Sequence, residues 1–325
     1  MSRSFCCIIQ ALWLVGVMGV GAAQAQSDYP SKPVKIIVPS AAGGGTDISA
    51  RVLAQYLSQS VRQQFFVENR PGAGNMIGIE AAARSAPDGY TLLMTASTLT
   101  LNQLTYKKVL YDAVRDFAPI SLVVSLPSLL VVHPSVPVHS VRELVALAKA
   151  KPDELTYGSA GIGTNPHFAM ELLKTLAGIE IRHIPYKGVG PALNDLVAGQ
   201  ISAMIAGLLT TKPQVEAGTL RALGVTSHAR AESLPDVPTV AEGGIAGYEA
   251  LQWYGLLAPG GTPGPIVQRL YQETAKAVRT AEMKERLAAD GAEPVGNTPA
   301  EFAAHIREEM RKWAEVARTA KIEPQ

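Results

Sequence analysis

The fold of this chain is indicated most clearly by residues 34–48, which read VKIIVPSAAGGGTDI. The first five residues are mostly β-branched and apolar, as in a short buried strand. Three glycines follow, and residues 46–60 then place apolar side chains at helical spacing. A strand, a turn and a helix in this order are typical of an α/β unit. The glycines leave backbone N–H groups uncovered at the positive end of the helix dipole, where a carboxylate or phosphate can bind.

A second turn of the same kind occupies residues 157–164, YGSAGIGT, and leads into a helical pattern. Strand-like and helix-like segments alternate around both turns, which predicts parallel α/β units. The set from 125 to 252 is complete in itself, and the chain then continues with another strand-like run. The pattern therefore predicts two lobes, 28–124 with 253–325 and 125–252. Two connecting segments between them would allow hinge closure over a ligand.

Residues 1–25 have the features of a secretory signal. Arg3 supplies the positive charge, residues 8–20 are largely apolar, and an Ala-Gln-Ala cleavage site ends at Ala25. The apolar run is shorter than the roughly 18 residues that a membrane-spanning helix needs. Both cysteines lie in this segment, so cleavage leaves a mature chain without disulfides or thiols. We therefore expect an exported, periplasmic protein.

The overall charge gives no reason to expect a nucleic-acid partner. The chain has 29 basic and 28 acidic residues, and loss of Arg3 with the leader leaves 28 of each. A balanced charge provides no broad electrostatic surface for nucleic acid or an anionic membrane. Any preference for an anion must therefore be built locally.

Sequence motifs of common catalytic and cofactor sites are absent. The chain has no Gly-x-Ser-x-Gly elbow, no His-Glu-x-x-His motif and no P-loop. Residues 72–78, GAGNMIG, resemble a dinucleotide fingerprint, but the third glycine comes one residue late. We therefore expect no cofactor, no metal site and no enzymatic activity.

Three side chains near the turns allow two interpretations each. Asp47 either stabilises the first turn of its helix through the dipole or meets a hydroxyl, ammonium or bridging water of a ligand. Thr46 is either an N-cap or a hydroxyl donor to an anion. His167, one turn into the second helix, is either a structural hydrogen-bonding residue or a ligand contact.

Together these motifs resemble the Bug family of extracytoplasmic solute receptors, the substrate-binding components associated with tripartite tricarboxylate transporters. The resemblance covers essentially the whole mature chain. It rests on residues 29–33 (YPSKP), 43–47 (GGGTD), 67–74 (VENRPGAG), 87–93 (PDGYTLL), 116–120 (DFAPI), 185–188 (PYKG), 234–239 (LPDVPT), 253–256 (WYGL) and 261–263 (GTP).

The resemblance implies an α/β fold of the two-lobed type II periplasmic binding protein class, a "Venus flytrap" in which each lobe is a mixed, mostly parallel sheet flanked by helices. Such receptors hold one carboxylate of a small acid between two glycine turns, largely through backbone groups, hydroxyls and bridging waters. Carried over to this chain, the ligand-binding residues are Ser40, Gly43, Gly44, Thr46, Asp47, Ser97 and Thr98 in the first lobe and Ser159, Gly161, Gly163, Thr164 and His167 in the second.

One position departs from the family pattern. Family members often carry an aromatic residue where this chain has Ser40, which leaves more room or a polar contact. We expect a monomeric receptor that presents a small organic acid to the membrane permease subunits of a tripartite tricarboxylate transporter. Two alternatives are a secreted enzyme acting on a carboxylate in the same cleft and a sensor for a membrane signalling protein. The sequence leaves open whether the acid is a monocarboxylate, a dicarboxylate, an amino acid or an aromatic acid.

Overall fold

The computed structural model describes residues 29–152, 154–288 and 291–324, so the predicted export signal, 1–25, lies outside the described residues. None of the helices in these ranges has the length and apolarity that crossing a membrane requires. The elements in chain order are β1 (Val34–Val38), α1 (Gly45–Val61), β2 (Phe65–Asn69), α2 (Met76–Ala83), β3 (Thr91–Ala96), α3 (Thr98–Thr105), β4 (Phe117–Leu126), β5 (Ser128–Val132), α4 (Val141–Ala150), β6 (Thr156–Ser159), α5 (Asn165–Ala177), β7 (Arg182–Pro185), α6 (Val189–Val197), β8 (Ala203–Gly207), α7 (Leu208–Glu216), β9 (Arg221–Val225), β10 (Gln252–Pro259), α8 (Gly264–Ala277), α9 (Ala281–Ala288), β11 (Glu293–Pro294) and α10 (Pro299–Thr319).

The strands form two mixed sheets, each at the centre of one lobe. The first sheet has the order β11-β4-β10-β3-β1-β2, and the second has the order β7-β6-β8-β5-β9. In the first, β1 lies parallel to β2 and β3, whereas β10 runs antiparallel to β3 and β4. In the second, β6 lies parallel to β7 and β8, whereas β5 runs antiparallel to β8 and β9. The predicted two-lobed α/β fold is confirmed.

Parallel strands place several helix N-termini at one edge of each sheet. In the first lobe, α1 and α3 begin just after the parallel strands β1 and β3. In the second lobe, α5 and α7 begin just after the parallel strands β6 and β8. In open α/β sheets this carboxyl edge is where ligands bind. Both glycine turns lie at such an edge.

The chain passes from the strands of one sheet to those of the other at two neighbouring places. Pro127 alone separates β4 from β5, and Gln252 at the start of β10 pairs with Leu126. Next to them, the N–H of Ser128 donates to Thr226 Oγ1 at 2.8 Å. The two crossings therefore lie side by side, as a hinge between lobes requires.

Helix α10 contributes side chains to the cores of both lobes. Near its start, Phe302 and Ile306 pack in one cluster with Trp253 of the first sheet. Near its end, Trp313 and Val316 join the cluster that contains Phe168 of α5. This helix therefore joins the hydrophobic cores of the two lobes.

A buried carboxylate marks the middle of this helix. Glu309 is 4% exposed, and its Oε2 accepts hydrogen bonds from Trp253 Nε1 at 3.3 Å and from Trp313 Nε1 at 2.7 Å. Its other oxygen lies 2.5 Å from Lys312 Nζ. The hydrogen bonds and the cation offset the cost of burying the charge. One side chain thus binds an indole from each core.

Candidate functional site

The first glycine turn ends in an uncovered helix N-terminus. Gly43 has φ +86°, a left-handed conformation that favours glycine. Gly44 is the N-cap of α1, so Thr46 is the second helical residue and the predicted N-cap role for Thr46 is wrong. The first intrahelical bond runs from the N–H of Ile48 to the oxygen of Gly44 at 2.9 Å. The N–H groups of residues 45–47 therefore have no partner within the helix and can meet an anion.

The carboxylate of Asp47 binds groups of its own lobe. Asp47 is 2% exposed, and its Oδ2 accepts from the N–H of Gly43 at 2.9 Å and from Arg51 Nε at 3.0 Å. Its Oδ1 accepts from Asn69 Nδ2 at 2.9 Å. Although burial opposes ionisation, the hydrogen bonds from Arg51, Gly43 and Asn69 together hold the pKa of Asp47 below its usual value. These contacts favour the structural interpretation of this residue.

Hydroxyl groups follow the ends of the neighbouring parallel strands β1 and β3. Ser40 Oγ is buried and has no hydrogen-bond partner within the described residues. Ser97 is 1% exposed at the start of α3, and Thr98 Oγ1 lies 3.2 Å from Asn75 Nδ2. Tyr254 of β10 packs against the first turn. A Cβ added to Gly45 would lie 2.5 Å from the hydroxyl oxygen of Tyr254. Sequence reasoning did not single out Tyr254, since only the folded sheet brings it to the turn.

The second turn is fixed by hydrogen bonds of its own residues. The N–H of Gly161 donates to Ser159 Oγ at 3.1 Å, and Thr164 Oγ1 donates to the oxygen of Gly161 at 2.7 Å. The N–H of Gly163 donates to Nδ1 of His167 at 3.1 Å. In a neutral His167 the proton must then lie on Nε2. Thr164 is the N-cap of α5, whose first turn is again uncovered.

Three rings stack behind this turn. The ring centroids of His167 and His183 are 4.2 Å apart, and those of His183 and Tyr157 are 4.7 Å apart. His183 Nε2 lies 2.7 Å from Ser159 Oγ. Sequence reasoning did not find this serine–histidine pair, because the residues are 24 positions apart and meet only through the pairing of β6 with β7.

The stacked histidines are uncharged at neutral pH. Burial, and to a lesser extent Lys174, lowers the pKa of His167 to about 4. Burial, followed by the neighbouring His167, lowers the pKa of His183 to about 4. The unfolded chain therefore binds protons at these imidazoles below about pH 6.5, and the folded chain does so only near pH 4.

We expect acid to destabilise the protein through these two groups. The free energy of unfolding should be highest above pH 6.5 and should decrease as the pH is lowered to 4. His167 should account for roughly 3 kcal/mol of this decrease. Melting temperatures measured across this range test the prediction. His167→Gln should flatten the profile, whereas His228→Gln, at an exposed site, should not. A profile that His167→Gln leaves unchanged contradicts the assignment.

The second turn also contacts the first lobe. A Cβ on Gly163 would lie 2.6 Å from Cγ2 of Thr105, the last residue of α3. A cavity of about 640 Å³ beside this contact is lined by Lys107 of the first lobe and by Ile162 and His167 of the second, among others. The first turn contacts Arg51, Asn69 and Tyr254 of its own lobe. The structure therefore brings the second turn to the gap between the lobes.

Among the described residues, no group of three or more His, Cys, Asp or Glu side chains is arranged to hold a metal ion. The polar groups at the two turns include backbone N–H groups, hydroxyls and neutral imidazoles, and the carboxylate of Asp47 is paired with Arg51. These N–H and O–H donors can hold an anion through charge-assisted hydrogen bonds.

Residues 49–322 match the model of the family described as tripartite tricarboxylate transporter family receptor. Protein BugT of Bordetella pertussis is 37% identical over 306 residues, which cover 94% of each chain. These relationships extend over both lobes.

Solved structures of similar proteins include two that contain small acids. The R. palustris protein Rpa4515 with adipate is 38% identical, has a TM-score of 0.78, and is matched over 91% of this chain and 100% of its own. MatC from Rhodopseudomonas palustris with bound malate is 31% identical, has a TM-score of 0.73, and is matched over 89% and 99%.

Proposed function

Because this chain belongs to the tripartite tricarboxylate transporter receptor family, we propose that it captures a small organic acid by holding one carboxylate between its two glycine turns. It is a solute-binding receptor for small carboxylates, as the family and the neighbours with adipate and malate indicate. The proposed contacts are eleven of the twelve residues carried over from the family, and the twelfth, Asp47, supports the first turn from behind.

The observation that carries this proposal is the pair of uncovered helix N-termini. Each follows a glycine turn, and no side chain caps either helix. Four charge-assisted hydrogen bonds of about 1.5–3 kcal/mol each amount to roughly 6–12 kcal/mol before ordering costs. Micromolar affinity requires about 8 kcal/mol. One anchored carboxylate therefore suffices, and the remainder of the acid determines specificity.

The lobe boundaries are part of the proposal. We infer that residues 28–124 and 253–325 build the first lobe and that residues 125–252 build the second. The neighbouring crossings at Pro127 and Gln252 support this division. The second half of α10 then packs across onto the other lobe.

The proposed cellular role follows from the family. The receptor works as a monomer in the periplasm after cleavage near Ala25 and delivers its acid to the permease subunits of a tripartite tricarboxylate transporter. Delivery of the occupied state to a membrane signalling protein is the alternative role. Binding assays with the purified permease subunits separate the two.

We propose that the bound acid is released unchanged. The opposing reading is a secreted enzyme, and the Ser159–His183 pair at 2.7 Å is the observation that favours it. However, Ser159 Oγ also bonds both polar groups of the Gly161 backbone, which holds it in the turn. Mass spectrometry of the acid recovered after prolonged incubation decides between them, since a chemically altered acid would establish catalysis.

Adipate, malate or a related acid is expected to raise the melting temperature of protein stripped of co-purified ligand. At 100 times the dissociation constant, a single bound ligand stabilises the folded state by about 2.7 kcal/mol. This corresponds to a rise of roughly 5 °C for a protein of this size. A thermal-shift screen across carboxylic acids measures the effect, with the diamide of each acid as its uncharged control. Equal stabilisation by acid and diamide would contradict carboxylate capture.

A further inference from the structure

Asn69 joins the first glycine turn to the neighbouring strand. It is the last residue of β2, and it pairs with Val38 at the end of β1. Its Nδ2 donates to the backbone oxygen of Ser40 at 3.0 Å and to Oδ1 of Asp47 at 2.9 Å. The same side-chain amide therefore bonds the beginning of the turn and the helix that follows it.

Asp47 and Arg51 complete this arrangement. Through its other oxygen, Asp47 accepts from the N–H of Gly43 at 2.9 Å, so the far end of the turn is tied to the same carboxylate. Arg51 Nη2 donates to Oδ1 of Asn69 at 2.9 Å, and Arg51 Nε donates to Asp47. Both N–H groups of the Asn69 side chain are thus used, so neither is left to donate to the carboxylate of a ligand.

The turn depends on this support because its own residues supply little. Residues 41–44 are exposed, and a Cβ placed on Gly43 would touch nothing within 4 Å. Glycine loses more conformational freedom on ordering than any other residue. A turn of small residues can therefore keep its N–H groups aimed at one point only if outside groups hold its backbone.

From these contacts we propose that Asn69 is a positioning residue of the carboxylate site. It sets the direction of the N–H groups at the start of α1 without touching the acid. The inference rests on the proposed function, because it concerns the affinity of that same site. It also gives the Val-Glu-Asn-Arg stretch, 67–70, a physical role.

The test compares three variants in the protein without ligand. Asn69→Leu keeps the size of the side chain and removes all its hydrogen bonds. Asn69→Asp keeps an acceptor for Arg51 but loses the donor and places two carboxylates about 2.9 Å apart. Asn194→Leu, at an exposed position on α6, is the control.

Amide exchange of Gly43, measured by NMR, is the readout that reports the turn itself. We expect it to accelerate at least tenfold at pH 7 in both Asn69 variants and not in the control. Exchange of residues 157–164 in the other lobe should stay within twofold of the native rate. At pH 5 the exchange rate of Gly43 in Asn69→Asp should return toward the rate of the native protein at the same pH. The carboxylates of Asp47 and of the introduced aspartate then share a proton, which restores a hydrogen-bond donor. Asn69→Leu should show no such rescue.

Calorimetric titration with adipate and malate connects the turn to binding. Any acid bound by the native protein should bind Asn69→Leu at least tenfold more weakly, with the Asn194→Leu variant unchanged. Native exchange at Gly43 in Asn69→Leu, equal acceleration in both lobes, or a loosened turn with unchanged affinity would each overturn the proposal. Absence of binding to the native protein by any carboxylic acid would count against the proposed function alone.

Discussion

Replacing Gly44 by valine is expected to lower the affinity for the bound acid at least 100-fold while leaving the protein folded. Gly44 has φ −80° and ψ 164°, which any residue can adopt, and an added Cβ would meet only the oxygen of Ala41 at 3.8 Å. The valine branches would instead occupy space above the uncovered N–H groups of α1. A 100-fold loss corresponds to about 2.7 kcal/mol, which is the scale of one or two lost charge-assisted hydrogen bonds.

Gly264→Val provides the matched control for this change. Gly264 also begins a helix and has nothing within 4 Å of an added Cβ, but it follows the opposite end of β10. Gly44→Val should unfold within about 1 kcal/mol of the native protein, since valine is merely a poorer residue at the N-cap, and Gly264→Val, whatever its stability before Pro265, should keep the native affinity. Calorimetric titration and thermal melts measure both effects. If Gly44→Val binds the acid with native affinity, the first turn is not part of the binding site.

Replacing Trp313 by alanine is expected to cause the largest loss of stability, about 3–5 kcal/mol. The Trp313 side chain is fully buried and packs edge-on against Phe168, with ring centroids 5.6 Å apart. The substitution also removes the 2.7 Å hydrogen bond to Glu309 and leaves that carboxylate less well paired in a buried position.

The control for this change lies on the same helix. Arg311 is 70% exposed and pairs with Glu308, so Arg311→Ala should cost less than about 1 kcal/mol. Urea denaturation compares the two variants, and hydrogen exchange shows which lobe is affected. We expect faster exchange in both lobes for Trp313→Ala. A loss below about 1 kcal/mol would show that the helix end contributes little to the second core.

Most of the fold could be predicted because its signals are local. A β-branched run, three glycines and apolar residues at helical spacing predict the β1–turn–α1 unit. The structure places this unit at residues 34–61. Helix α3 was missed because residues 98–105, TLTLNQLT, alternate apolar and polar residues as a strand does. Helix α7 was missed because Pro213 lies inside it.

The site was less predictable because its contacts join distant segments. The sequence alone left two roles open for Asp47, and the deciding partner, Asn69, comes from the neighbouring strand. The pairing of Ser159 with His183 likewise depends on β6 lying next to β7. On α10 the structure buries the charged Glu309. The two indoles that donate to this carboxylate and the Lys312 cation beside it offset the cost of burying the charge.

The position of α10 has a consequence for how this chain folds. The first sheet is incomplete without β10, which lies between β4 and β3. The core of the second lobe lacks Trp313 and Val316 until α10 docks. Neither half of the protein therefore has a complete core while the C-terminal helix is missing. Docking of α10 completes both cores, so a chain without this helix should leave Trp253 of the first half and Phe168 of the second half less well covered.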